Sequence, residues 1–101
     1  MRYQKIELTV LFKKEGKMFI AYSPALDIST FANSFEKAKQ RFEELVEVFF
    51  EELEKTGTLE DVLIECGWTK IRDKDKSKRI NWVPPRFITQ TKETVQIPCH
   101  V

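Results

Sequence analysis

Apolar and polar residues alternate from Gln4 to Phe12. Ile6, Leu8, Val10 and Phe12 fall on one face, and Lys5, Glu7 and Thr9 on the other, with Leu11 the exception. A period of two over this length predicts a half-buried strand. Lys13-Lys14-Glu15-Gly16-Lys17 is polar and contains a glycine, so it reads as a hairpin turn. A second strand runs from Met18 to Ser23, with Met18, Ile20 and Tyr22 on one face. Pro24 stops it, because proline brings no amide donor to a ladder. A third, short strand is expected over Ile28–Ala32, completing a meander.

The pattern then changes to a helical one. Phe35, Ala38, Phe42, Leu45, Val46, Phe49 and Leu53 form one stripe at about 100° per residue, with Glu43, Glu47, Glu51 and Glu54 opposite. Asn33-Ser34 offers an N-cap, and Glu36 stands three residues after Asn33, as in a capping box. Gly57 supplies the stop, which predicts a helix from Ser34 to Thr56. Thr58 opens a second, shorter helix with Asp61 in capping position. Leu59, Val62, Leu63 and Cys66 give its apolar face, and Gly67 ends it. Trp68–Ile71 reads as a strand or extended lead-in, Arg72–Arg79 as an exposed charged loop, and Ile80–Val83 as extended chain held so by Pro84-Pro85. Phe87–Thr91 and Thr94–Ile97 are candidates for short late strands. The order β-β-β-α-α-β predicts an α+β, two-layer domain: an antiparallel meander packed against one long helix, with a short second helix and late C-terminal strands.

The 101 residues suit one domain, with a core in 1–56 and a C-terminal extension in 57–101. No run approaches the roughly 18 apolar residues of a membrane span, so no membrane partner is expected. The N-terminus enters a strand pattern without a signal peptide, which favours the cytoplasm. Two cysteines, Cys66 and Cys99, make no disulfide framework, and Cys66 holds an apolar helical position. The net charge of +1 hides two opposed regions. Residues 33–66 carry ten acidic and four basic side chains, net −6, and residues 67–92 carry eight basic and two acidic, net +6. Such asymmetry suits a surface that meets another copy of the chain or a charged partner.

Catalytic chemistry needs converging groups, and the chain offers few. Its single histidine, His100, lies beside Cys99 near the C-terminus, where a general base is poorly held. Cys66, Cys99 and His100 are too few, at the wrong spacing, for a usual zinc site. Gly16, Gly57 and Gly67 lie far apart and form no phosphate loop. No catalytic residue, metal or cofactor is expected. The stretch Lys70–Arg79 offers Lys74, Lys76, Lys78 and Arg79 as phosphate contacts, although Asp73 and Asp75 interrupt it and no reading motif accompanies it. A nucleic-acid-binding regulator is therefore the alternative reading. Partner binding through the long helix is the first, with Glu43, Glu47, Phe50 and Glu51 as candidate contacts. Phe50 and Val48 flank the apolar stripe, and either packs at the sheet edge or stands exposed.

Tyr22-Ser23-Pro24-Ala25-Leu26, Ile28-Ser29-Thr30 and Ser34-Phe35-Glu36-Lys37-Ala38 together resemble the opening of HicB-like antitoxins. In that family an aromatic precedes a Pro-x-Leu segment, a Thr follows, and a Ser/Thr-x-x-x-Ala begins a helix. Tyr22, Pro24, Leu26, Thr30, Ser34 and Ala38 take those places, and the resemblance covers residues 4–56. It implies a partial RNase H-like fold without nuclease activity, and an antitoxin that occludes a small basic RNA-cleaving toxin of the HicA type. Ala32 stands where the family commonly has glycine, and the loop after Pro24 is shorter. Residues 57–101 hold no separate DNA-binding module of the kind many members carry. Self-association as a homodimer or higher homo-oligomer is also expected.

Overall fold

A computed structural model describes residues 4–72 and 80–99 of the chain. Its element order is β1 (Leu11–Glu15), β2 (Met18–Ser23), β3 (Ile28–Ala32), α1 (Phe35–Thr56), α2 (Leu59–Glu65), β4 (Thr69–Arg72) and β5 (Ile80–Val83). The α+β class and the β-β-β-α-α-β order are as the pattern predicts. The first three strands form one antiparallel sheet in the order β1-β2-β3, and β4 and β5 form a separate two-stranded one. No helix among the described residues is long and apolar enough to cross a membrane.

The first strand lies later in the chain than the alternation alone suggests. Ladder pairing begins at Leu11 and runs to Glu15, which faces Met18. The turn is therefore two residues, Gly16-Lys17, and not the five-residue segment expected. Gly16 has φ 58° whereas Lys17 has no positive φ, the sign pattern of a type II′ hairpin turn. That turn matches the twist of the flanking strands and lets Lys13 and Lys14 pair although they are polar. Residues 4–10 make no ladder. Their alternation is still expressed as burial: Ile6, Leu8 and Val10 are half-buried, and Lys5, Glu7 and Thr9 exposed.

Ser34 caps α1, its hydroxyl accepting from the Lys37 amide at 3.2 Å. The cap is one residue beyond Asn33, so the residue in the reciprocal position is Lys37 and not Glu36. The expected capping box does not form, and Glu36 instead sits in the first turn, where a negative charge suits the helix dipole. At the other end Gly57 adopts φ 73°, a left-handed stop that a β-carbon would strain. Thr58 then donates to the Leu53 carbonyl at 3.0 Å. The second helix closes similarly, with the Trp68 amide on Leu63 at 2.9 Å. Thr58 is the N-cap of α2 but makes no side-chain cap bond; its hydroxyl meets that of Thr56 at 2.8 Å instead.

Two clusters make the core. Beneath α1, Ala21, Ala32, Ala38 and Phe42 are buried, with Val10, Phe12, Phe19, Ile28 and Val46 against them. Small residues on β2, β3 and the helix let α1 approach the sheet closely. The second cluster joins Ala25 and Leu26, from the β2–β3 turn, to Leu63 and Trp68. Trp68 is 4% exposed, and its indole donates to the Ala25 carbonyl at 2.8 Å. The segment after α1 is thus built into the core. Phe87–Thr91 and Thr94–Ile97 form no ladder, and every residue from Arg86 to Cys99 is exposed. Among the described residues the late strands are β4 and β5, and residues 86–99 pair with no neighbouring strand.

Candidate partner-binding surfaces

The exposed face of α1 carries Glu43, Glu47 and Glu51 at intervals of one helical turn, all exposed. Each step is about 6 Å along the axis, so the row spans about 12 Å. Among the described residues the ion pairs are Lys13–Glu15 and Lys70–Glu60, neither of which involves this row. Phe50 adjoins the row, three residues beyond Glu47. Its ring is half-buried against the second core cluster and meets Phe49 edge-on at 5.5 Å. Phe50 is therefore partly committed to the fold, and Val48, at 60% exposure, is the more open apolar side chain of this helix.

The sheet has a second face, which no element among the described residues packs upon. Pairing places Lys13, Ile20 and Phe31 side by side across the three strands, with Leu11 opposite Tyr22. Leu11 is 52% exposed and Phe31 59%, while Ile20 between them is half-buried. The reason is architectural: α1 covers only the face bearing Phe12, Ala21 and Ala32. The alternation that predicted each strand did not reveal this open face, because the strand faces are apolar on both sides.

A shallow depression of about 250 Å³ lies between the end of α1, α2 and the β4–β5 hairpin. Leu53, Leu59, Ile80 and Trp82 form its apolar walls, and the Glu60–Lys70 pair stands at its rim. Lys70 is thereby engaged by α2, which leaves Arg72 as the described end of the basic stretch. Lys74, Lys76, Lys78, Arg79 and His100 lie outside the described residues. Cys99 is exposed, and Cys66 touches the Leu26 carbonyl at 3.8 Å. Burial pushes the Cys66 thiol above its ordinary pKa, and the negative charges of Glu65 and Asp27 add to this. No group of three or more His, Cys, Asp or Glu side chains suited to a metal ion occurs among the described residues.

Within the family-like motif, Tyr22, Leu26, Ser34 and Ala38 have local structural roles, as do their neighbours Ser23 and Asp27. Ser23 is fully buried and its hydroxyl accepts from the Leu26 amide at 3.3 Å. The turn closes when the Asp27 amide donates to the Ser23 carbonyl at 2.8 Å. Asp27 has φ 54°, a left-handed conformation that glycine usually supplies, and its carboxylate accepts from Tyr22 at 3.0 Å. That hydrogen bond, aided by burial and the carboxylate charge, holds the Tyr22 phenol above its usual pKa. Leu26 is core, Ser34 is the cap and Ala38 is buried against the sheet. Gln4, which the sequence pattern did not single out, binds Trp82 at two points. Its amide donates to the Trp82 carbonyl and accepts from the Trp82 amide, both at 2.8 Å. No protein-family model matches the chain, and no curated protein or solved structure matches it.

Proposed function

We propose that this chain is a non-catalytic binding protein of HicB-like type, which neutralises a small basic RNA-cleaving toxin by covering its RNA-binding surface. The observation that carries the reading is the row Glu43–Glu47–Glu51 on one rigid helix, exposed and without a basic partner among the described residues. A toxin that grips RNA through phosphates presents positive charge, and a rigid acidic strip complements it and speeds encounter. Val48 and the exposed part of Phe50 supply apolar contact beside the charges. The resemblance over residues 4–56 supports the same reading, since its Tyr22, Pro24, Leu26, Thr30, Ser34 and Ala38 stand in one continuous strand-turn-strand-helix unit.

The test is co-expression with the product of the adjacent reading frame, followed by co-purification and a toxicity assay. A stable complex, weakened by Glu43→Lys, Glu47→Lys and Glu51→Lys in proportion to the number of reversals, is the expected result. Interaction that is unchanged when all three are reversed would sink the assignment of this strip. Retention on an RNA or DNA column that is lost with rising salt, without any protein complex, would favour the nucleic-acid reading instead.

A further inference from the structure

Residues 86–99 form an arm rather than part of the body. All are exposed, and Phe87, Ile88, Val95 and Ile97 are 60–93% so. Among the described residues, the hydrogen bond of this segment is a local one, from the Thr89 hydroxyl to the Gln90 carbonyl. The arm leaves the body at Pro85, whose Cβ lies 3.7 Å from where a Cβ on Gly67 would stand. The tandem prolines set an extended course. Between Pro85 and Pro98 there is no Gly, Asn, Asp or Ser, so no residue favours a tight reversal toward the arm's own sheet. The radius of gyration is 17.3 Å, against about 13 Å for a compact chain of this length, and the long axis is 62 Å.

The composition of the arm is that of a strand: Phe87, Ile88, Thr89, Thr91, Thr94, Val95 and Ile97 are aromatic or β-branched. The body has a matching vacancy. The sheet order leaves β1 and β3 as edges. On β3 the Phe31 carbonyl is taken by the Arg41 guanidinium at 3.0 Å. Among the described residues no side chain takes the outer edge of β1 in this way, and β1 pairs with β2 on its other edge. Beside it lies the open apolar face with Leu11, Ile20 and Phe31.

We infer that two copies of this chain associate by exchanging arms: residues 94–97 of each add as a strand to the β1 edge of the other. In that placement Val95 and Ile97, two residues apart, share a face and continue the apolar surface begun by Leu11 and Ile20. A second copy is the occupant because donor strand and acceptor edge occur in every molecule, and reciprocal exchange satisfies both in a closed two-fold dimer. It consumes exposed apolar side chains that have no role in the monomer, and it leaves the acidic strip of α1 free. The inference stands apart from the antitoxin reading and needs no toxin.

The test is sedimentation equilibrium on the full chain and on a chain ending at Arg86, with thermal unfolding to verify that both fold. The full chain is expected to dimerise at or below roughly 100 µM, and the shortened chain to be monomeric throughout. Val95→Lys with Ile97→Lys should weaken the dimer by at least about 30-fold. For the edge itself, Leu11→Cys and Val95→Cys are placed on differently tagged copies lacking Cys66 and Cys99. Oxidation should link the two tags. A full chain that remains monomeric would overturn the inference. So would a dimer that survives loss of the arm, or one in which the Leu11 and Val95 positions never cross-link.

Discussion

The body and the arm are both rich in apolar residues, yet only one of them buries its share. In the body, Leu63 is 1% exposed and Trp68 4%; in the arm, Ile88 is 93% exposed and Ile97 77%. The difference is one of neighbours. In the body the first elements find partners close in the chain, since β1 meets β2 across a two-residue turn and α1 returns over β2 and β3 after Asn33 and Ser34, and this frame then receives Leu63 and Trp68 against Ala25 and Leu26. The arm has equal strand propensity but follows two prolines and lacks turn residues. Hydrophobicity alone does not bury a segment; a surface must also lie within reach.

The sharpest way to press this contrast is to remove single side chains from the body and then the arm as a whole. Leu63→Ala should destabilise the body by about 3 kcal/mol, the usual cost of an aliphatic cavity at a closed site, read by urea denaturation. A loss below about 1 kcal/mol would mean that the Ala25–Leu26–Trp68 cluster relaxes and is not the packed centre described. Ser34→Ala, which removes the cap of α1, should cost about 1 kcal/mol in the same assay. Ser34→Asp should retain the stability if the hydroxyl acts as an acceptor for the Lys37 amide.

A pH series probes the junction of α2 with the β2–β3 turn. The Cys66 pKa is raised in the folded chain by burial, then by Glu65 and Asp27. The neutral thiol is thus the form the fold favours. Its contribution is complete below the unfolded pKa of about 8.5 and is lost as pH rises through the higher folded value. As pH rises above the ordinary thiol range, wild type should lose more stability than Cys66→Ala; parallel curves would show that burial of the thiol is not felt. The smallest effect belongs to the arm. Ending the chain at Arg86 should change monomer unfolding by less than about 0.5 kcal/mol, measured at concentrations too low for association. A larger loss would show that the arm packs on its own body after all.

The candidate site was less legible than the fold. The glutamate row was readable because α1 is long and regular, so spacing fixes direction: Glu43, Glu47 and Glu51 lie opposite Ala38 and Phe42. Phe50 was ambiguous because it sits at the stripe's margin, where a neighbour decides its burial. That neighbour is the second cluster, assembled from residues 25 and 26 together with 63 and 68. The motif Tyr22–Ala38 was plain in the sequence. Its described roles, a buried serine, a left-handed Asp27 and a helix cap, are folding roles. Such a motif reports shape more directly than it reports a partner.

The sequence by itself determined the local elements: β2, β3, the span of α1 and its stop at Gly57 follow from periodicity, proline, glycine and capping chemistry, all of which act within a few residues. It also set the burial of Ile6, Leu8 and Val10, since alternation persists without a ladder. What only the tertiary structure decided depends on contacts distant in the chain. The Gln4 amide clasps Trp82, 78 residues away, and the Trp68 indole reaches Ala25, 43 residues away. Ladder bonds begin at Leu11 because the tight turn at Gly16 fixes the register from the far end of the hairpin. Among the described residues α1 packs on one side of the sheet, which leaves Leu11 and Phe31 on the other side exposed.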